Sequence, residues 1–163
     1  MSLNHAARSK RPLDLLENIL EQREWTSERI GDEELTLSVR GTRCDYHVSV
    51  NWRADLAAIH LASAFDLSVP GPRLTETHRL VAMVNEQLWL GHFDVWAADG
   101  LILYRNAIML NDAVVSRAQL ARLFDTALEA CERNYQAFHF VVWAGKDAAS
   151  ALRGTMFETK GCA

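Results

Sequence analysis

Apolar and polar residues recur with two periods along this chain, and the change of period separates helices from strands. From Pro12 to about Arg23 apolar residues recur every three or four positions, which predicts an amphipathic helix with proline in its first turn. Polar and apolar residues then alternate, as is typical of strands with one buried face. Four such segments are predicted, at residues 26–30, 35–39, 44–52 and 59–67.

The following segment repeats this order, with a helix before strands. Helical spacing from Leu74 to Leu88 predicts a second helix, and Gly91 is placed to end it as the C′ residue. Strands are predicted at 92–96 and 101–110, because Asp-Gly between them is typical of a hairpin. The second strand is apolar on both faces, which predicts burial on both sides and a cover from the C-terminal segments or a partner subunit.

The third helix has a marked start, since Ser116 and Gln119 have the spacing of a capping box. Residues 135–143 are apolar nearly all round, so helix and strand are both compatible with them, and we favour helix. A last short helix is predicted at 146–152. The predicted order α-β-β-β-β-α-β-β-α-α indicates an α+β fold, an antiparallel sheet with helices packed on it.

Length and composition predict an ordinary globular domain of 163 residues, 49% hydrophobic and 23% charged. We expect a disordered lead at residues 1–11 and a single domain at 12–163. A net charge of −4 argues against binding to nucleic acid, which requires clustered basic residues. No apolar run suggests a signal peptide or a membrane span, and the three cysteines are far apart, so we expect a cytoplasmic protein.

The common catalytic and ligand motifs are absent from the sequence. No histidines or cysteines have the spacing of metal ligands, and the glycines are too far apart for a phosphate-binding loop. We therefore predict a protein that is not an enzyme and has neither metal nor cofactor. The alternative is a small-molecule sensor or an unrecognised enzyme with a pocket near His92 and Asp94, which project from the same face of one predicted strand.

Aromatic residues are the candidates for partner binding. Trp52 and Trp96 lie at predicted strand ends, and Tyr104 lies in the strand that is apolar on both faces. Such residues dominate protein interfaces because they bury a large area while keeping a polar atom. We predict that these three anchor an apolar peptide or helix of a protein partner, or a homodimer.

A series of short segments carries a resemblance to a known family. They are PLDLLE at 12–17, Trp25 with ERIGDEEL at 28–35, CDY at 44–46, WRADL at 52–56, AFDL at 64–67, NEQLWLGHFDVW at 85–96, CER at 131–133 and WAGK at 143–146. With these segments the chain resembles the bacterial YbjN family, in its alphaproteobacterial branch, over nearly all of residues 12–163. The resemblance implies a fold similar to class I type III secretion chaperones, usually dimeric. It also implies a sensory transduction regulator or chaperone-like adaptor, and carries over no catalytic residue.

Overall fold

The computed structural model describes residues 12–110 and 114–158, and within these ranges the chain forms four α-helices and six strands. Their order confirms the predicted α+β fold, whereas the predicted lead at 1–11 lies outside the described residues. The helices are α1 (Pro12–Gln22), α2 (Leu74–Asn85), α3 (Arg117–Val142) and α4 (Ala148–Glu158). The strands are β1 (Ser27–Ile30), β2 (Glu34–Arg40), β3 (Asp45–Arg53), β4 (Ala58–Ser68), β5 (His92–Trp96) and β6 (Leu101–Met109).

All six strands form one antiparallel sheet in the order β1-β2-β3-β4-β6-β5. Alternate residues of β2 and β3 are buried, and those between them are exposed or half-buried. The buried face carries the helices: α3 packs on β4 and β6, α2 on β5, and α1 on β3. We call the other side of the sheet the open face.

A cluster of aromatic rings joins the sheet to α3. The ring of Phe65 on β4 is central, with its side chain 1% exposed. Its centroid lies 5.5–5.8 Å from four other ring centroids, in the range of favourable edge and tilted contacts. The four are Tyr46, Phe93, Tyr135 and Phe138.

Helix α3 begins where the sequence predicts. The Gln119 N–H donates to Ser116 Oγ at 3.1 Å, and the Ser116 N–H donates to Gln119 Oε1 at 2.9 Å, so the capping box is confirmed. The helix then continues through residues 135–143 as far as Val142, which confirms helix over strand for that segment. No helix in the described ranges is both long and apolar enough to span a membrane.

Replacement of Ser116 by alanine is expected to lower the free energy of unfolding by about 1 kcal/mol, because the Gln119 N–H loses its acceptor, the Ser116 hydroxyl. Chemical denaturation followed by circular dichroism measures the change. Thr75→Ala is the control, since Thr75 is an exposed residue in the first turn of α2 without a cap bond. Equal stability of the two variants would contradict a stabilising role for the cap.

The predicted end of the second helix is wrong. Helix α2 ends at Asn85, six residues before Gly91, and Gly91 instead leads into β5 with φ +66°. The physical reason is the Asn85 side chain, which accepts a hydrogen bond from the Phe93 N–H and donates one to the Phe93 carbonyl. Residues 86–91 therefore form a loop that returns the chain to the sheet.

The prediction that the C-terminal segments cover the second side of β6 is also wrong. On the open face Leu103 is 2% exposed and Leu101 is half-buried, but Met109 is 84% exposed. In the described part of the chain the helices pack on the opposite face, so the C-terminal segments do not supply the expected second cover. Apolar residues at the end of β6 are thus available at the surface.

Candidate functional site

Strands β5 and β6 differ in length, which leaves part of β6 uncovered. β5 pairs with β6 only as far as His92 opposite Arg105. β6 continues to Met109 and pairs there with β4 on its other side. Among the described residues no strand pairs with the β5 side of β6 at residues 106–109, which we call the free edge.

Side chains close the outer side of β5. Asn85 bonds both backbone groups of Phe93, at 2.8 and 3.0 Å, and Asp94 Oδ1 accepts from the Val95 N–H at 2.9 Å. Unpaired backbone groups at a sheet edge invite pairing with another chain, and such bonds remove that opportunity. At Phe93 and Val95 the outer side of β5 is therefore closed by side chains, whereas the free edge of β6 is not paired with another strand in the described ranges.

The ladder gives the direction of the backbone groups at the free edge. Successive residues of an antiparallel strand direct their N–H and C=O groups to opposite sides. The backbone N–H and C=O groups of Phe93 point away from β6, so those of its neighbour His92 point towards β6, where His92 is paired with Arg105. By the same alternation, Ala107 and Met109 direct their backbone groups to the β5 side, where the free edge lies.

Two depressions flank the free edge, one on each face of the sheet, and both include Asn106 and Ala107. On the helix side is the apolar groove, with a volume of about 340 Å³, and on the open face is the polar cleft, with about 320 Å³. The groove is lined by Leu90, Asn106, Ala107, Ile108, Ala118, Gln119, Arg122, Leu123 and Thr126. The cleft is lined by His60, Gly91, His92, Arg105, Asn106 and Ala107.

Arg105 organises the polar cleft. Its Nε donates to His60 Nε2 and its Nη1 contacts Asp94 Oδ2, each at 3.3 Å. Burial, followed by the charges of Arg105 and His92, lowers the pKa of His60, so His60 is neutral at pH 7. The Nη2 of Arg105 has no hydrogen-bond partner among the described residues, and it remains available to an acceptor that enters the cleft.

The loop at 86–91 presents two apolar side chains beside the groove. Trp89 is 99% exposed and Leu90 is 58% exposed. The loop is held by the Tyr104 hydroxyl, which donates to the Leu90 carbonyl at 2.9 Å. Burial raises the pKa of Tyr104 to about 12, so this donor stays protonated at physiological pH. Leu90 also borders a smaller cavity of about 190 Å³ that extends along α3 to Arg133.

Comparison with known proteins identifies the family. Residues 12–140 match the YbjN family model, described as "Putative bacterial sensory transduction regulator". The chain belongs to the YbjN family. A "Crystal structure of YbjN, a putative transcription regulator from E. coli" is similar with a TM-score of 0.55 and 10% identity, over 74% of this chain and 85% of that chain. That likeness shows the fold alone, and no curated protein matches the chain.

The free edge and both depressions lie within the YbjN range of the chain. Of the residues predicted from sequence, His92 lies in the polar cleft and Asp94 contacts its central Arg105. Trp52 is half-buried and packs on the core, Trp96 is 47% exposed at the other end of β5, and Tyr104 is fully buried. The three aromatic residues therefore do not share one surface.

Trp89 and Leu90, two exposed apolar residues of the loop at 86–91, were not predicted as candidates from the sequence. Because the second helix was predicted to run to Leu88 with Gly91 as its end, both were assigned to a helix terminus. The available signal was Asn85, a residue type that favours helix ends and turns. Within the described ranges no group of three or more His, Cys, Asp or Glu residues is placed to hold a metal ion.

Proposed function

We propose that this chain is a non-enzymatic protein-binding regulator, a chaperone-like adaptor of the cytoplasm that binds a segment of another protein beside α3 and β6. The observation that carries the proposal is the combination of Leu90, which lines the apolar groove, with Trp89, which lines the adjoining smaller cavity. Large exposed apolar residues beside a groove are typical of protein interfaces, and tryptophan is the residue most enriched among those that dominate binding. The family description, a sensory transduction regulator, is compatible with such a role.

The way in which the loop is held supports a binding role. Tyr104 anchors the Leu90 carbonyl, and the adjacent Gly91 has no room for a larger side chain beside Tyr104. A loop that is already fixed loses little conformational entropy when a partner binds, so more of the contact energy contributes to affinity. The same anchoring keeps Leu90 at the junction of the groove and the smaller cavity.

We do not adopt the alternative of a small-molecule sensor or enzyme centred on His92 and Asp94. The polar cleft lies on the open face of the sheet, where a small molecule would keep much of its hydration. Asp94 already occupies one of the two terminal nitrogens of Arg105. The groove on the helix side offers more apolar area than the cleft.

The proposal predicts that Leu90→Glu weakens binding of a partner segment by at least about thirtyfold, because a charge would enter an apolar contact. Trp89→Ala should weaken it by about tenfold while changing the free energy of unfolding by less than about 0.5 kcal/mol, since the side chain is almost wholly exposed. Random peptides displayed on phage would be selected on the purified chain, and their affinities measured by fluorescence polarisation.

Trp143→Ala is the matched control, because Trp143 is 70% exposed at the end of α3 and lines neither the groove nor the smaller cavity. Its affinity for the selected peptides should equal that of the unchanged chain. Failure to select any peptide, or equal binding by the Leu90→Glu variant, would overturn the proposal. Light scattering over a range of concentrations tests a second copy as the occupant: self-association abolished by Leu90→Glu would assign the groove to a homodimer.

A further inference from the structure

The free edge of β6 lies between a groove on one face of the sheet and a cleft on the other. We propose that the partner segment binds there in extended form, as an added strand antiparallel to β6 and in line with β5, and that its residues are alternately apolar and acidic. This inference rests on the proposed function and specifies the kind of segment that is recognised. Main-chain hydrogen bonds would provide affinity, and the two depressions would provide specificity.

The backbone of β6 offers the main-chain bonds. Ala107 and Met109 direct their N–H and C=O groups to the free side, as the ladder with β5 requires. The Ala107 N–H is held by the side chain of its own neighbour, Asn106, at 2.9 Å. Rotation of this half-buried side chain would free the Ala107 N–H for an incoming carbonyl without breaking a bond between β4 and β6.

Side-chain alternation explains why two different depressions adjoin one edge. Successive residues of a strand project to opposite faces of the sheet, so neighbouring residues of an added strand enter different depressions. On the helix side the added side chain meets Ile108 and Leu123, which favours an apolar residue. On the open face its neighbour meets polar groups of the cleft. The added strand therefore presents its residues alternately to the groove and to the cleft.

The charges favour an acidic residue on the open-face side. Arg105 is the charged residue that lines the cleft, and it keeps one terminal nitrogen free of partners among the described residues although Asp94 binds the other. A carboxylate can accept from that nitrogen in a charge-assisted hydrogen bond. Arg122, at the groove, also lacks an ion-pair partner within the described ranges, and a basic segment would meet it unfavourably.

Synthetic peptides test the inference directly. The probe is a fluorescein-labelled peptide of about eight residues in which leucine and glutamate alternate, enough to exceed the length of the free edge. We expect saturable binding by fluorescence polarisation, weakened at least about tenfold when lysine replaces glutamate or when the same residues are arranged as two blocks. Equal binding of these peptides would overturn the alternating pattern.

Backbone methylation separates strand addition from side-chain binding. One version of the probe is N-methylated at every leucine and a second at every glutamate. In an added strand only one of these sets directs its amides to β6, so one version should lose at least about tenfold in affinity and the other should bind. Similar binding by both versions would overturn strand addition while leaving the proposed function intact.

A variant of the chain provides the complementary test. Ala107→Pro removes the edge N–H without removing a ladder bond to β4, because that N–H faces the free side, and proline is tolerated at sheet edges. We expect at least about tenfold weaker binding of the probe by Ala107→Pro and unchanged binding by Ala107→Ser, which keeps the N–H. Thermal unfolding measurements on both variants test whether they are folded.

Hydrogen exchange on the unchanged chain gives a readout that does not depend on the proline variant. Saturation with the probe should slow exchange of the Ala107 and Met109 amides by about tenfold or more. Unchanged exchange at both amides would overturn the inference. The inference would also be overturned if the chain self-associated and Ala107→Pro abolished that self-association. If the alternating probe does not bind but phage-selected peptides bind through Leu90, the inference fails and the proposed function stands.

Discussion

Replacement of Gly91 by alanine is expected to lower the free energy of unfolding by about 3 kcal/mol or more. Gly91 has φ +66°, a conformation that L-residues with a Cβ adopt at a cost. A Cβ at this position would also overlap the Tyr104 hydroxyl and approach the carbonyl oxygen of Arg105 to 2.7 Å. Thermal unfolding should show a midpoint lower by about 6–12 °C for a chain of this size.

Gly31→Ala separates the two causes. Gly31 has a similar φ, +63°, but a Cβ there would have no heavy atom within 4 Å. Its substitution should therefore cost only the backbone term, about 1 kcal/mol. If Gly91→Ala and Gly31→Ala were equally stable, the close approach of Gly91 to Tyr104 would not be a determinant of the fold. Gly91→Ala should also weaken peptide binding, because it displaces Leu90.

Phe65→Ala is expected to destabilise the fold by about 3–5 kcal/mol, since it removes a fully buried ring and leaves a cavity. The ring of Phe65 contacts rings on β3, β5 and α3, so the loss would loosen the sheet and its main helix together. Urea denaturation followed by intrinsic fluorescence and by circular dichroism measures the change.

Two controls define what the ring contributes. Phe65→Leu keeps most of the buried volume and should cost less than about 1.5 kcal/mol. Phe140→Ala removes a phenylalanine that is only half-buried and should cost less than Phe65→Ala. A Phe65→Ala variant as stable as Phe140→Ala would show that the aromatic cluster is not the centre of the core.

The order of elements could be predicted because most segments have one buried face, so the period of the apolar residues reports the local structure directly. The capping box of α3 could be predicted because its two partners are only three residues apart in the sequence. The end of α2 could not be predicted from the period of the apolar residues. Leu88 continues the apolar spacing, but the contact between Asn85 and Phe93 ends the helix three residues earlier.

The free edge depends on information that a single strand does not carry. The predicted strands at 92–96 and 101–110 already differed in length, but which strand flanks β6 on its other side follows from the sheet order. Aromatic content likewise does not determine exposure. Tyr104 packs in the core against Phe93 with its hydroxyl bonded to the Leu90 carbonyl, whereas Trp89 is 99% exposed. Residue type alone therefore does not predict which aromatic side chains are exposed.

The short length of the free edge has a kinetic consequence. Only residues 106–109 lie beyond the end of β5, so a docked strand gains few main-chain bonds and a small contact area. Contacts below about 1,200 Å² are typical of transient signalling encounters, and differences in affinity are expressed mainly in the dissociation rate. A regulator with such an edge would release its partner quickly and sample several targets in turn, so occupancy would follow their concentrations.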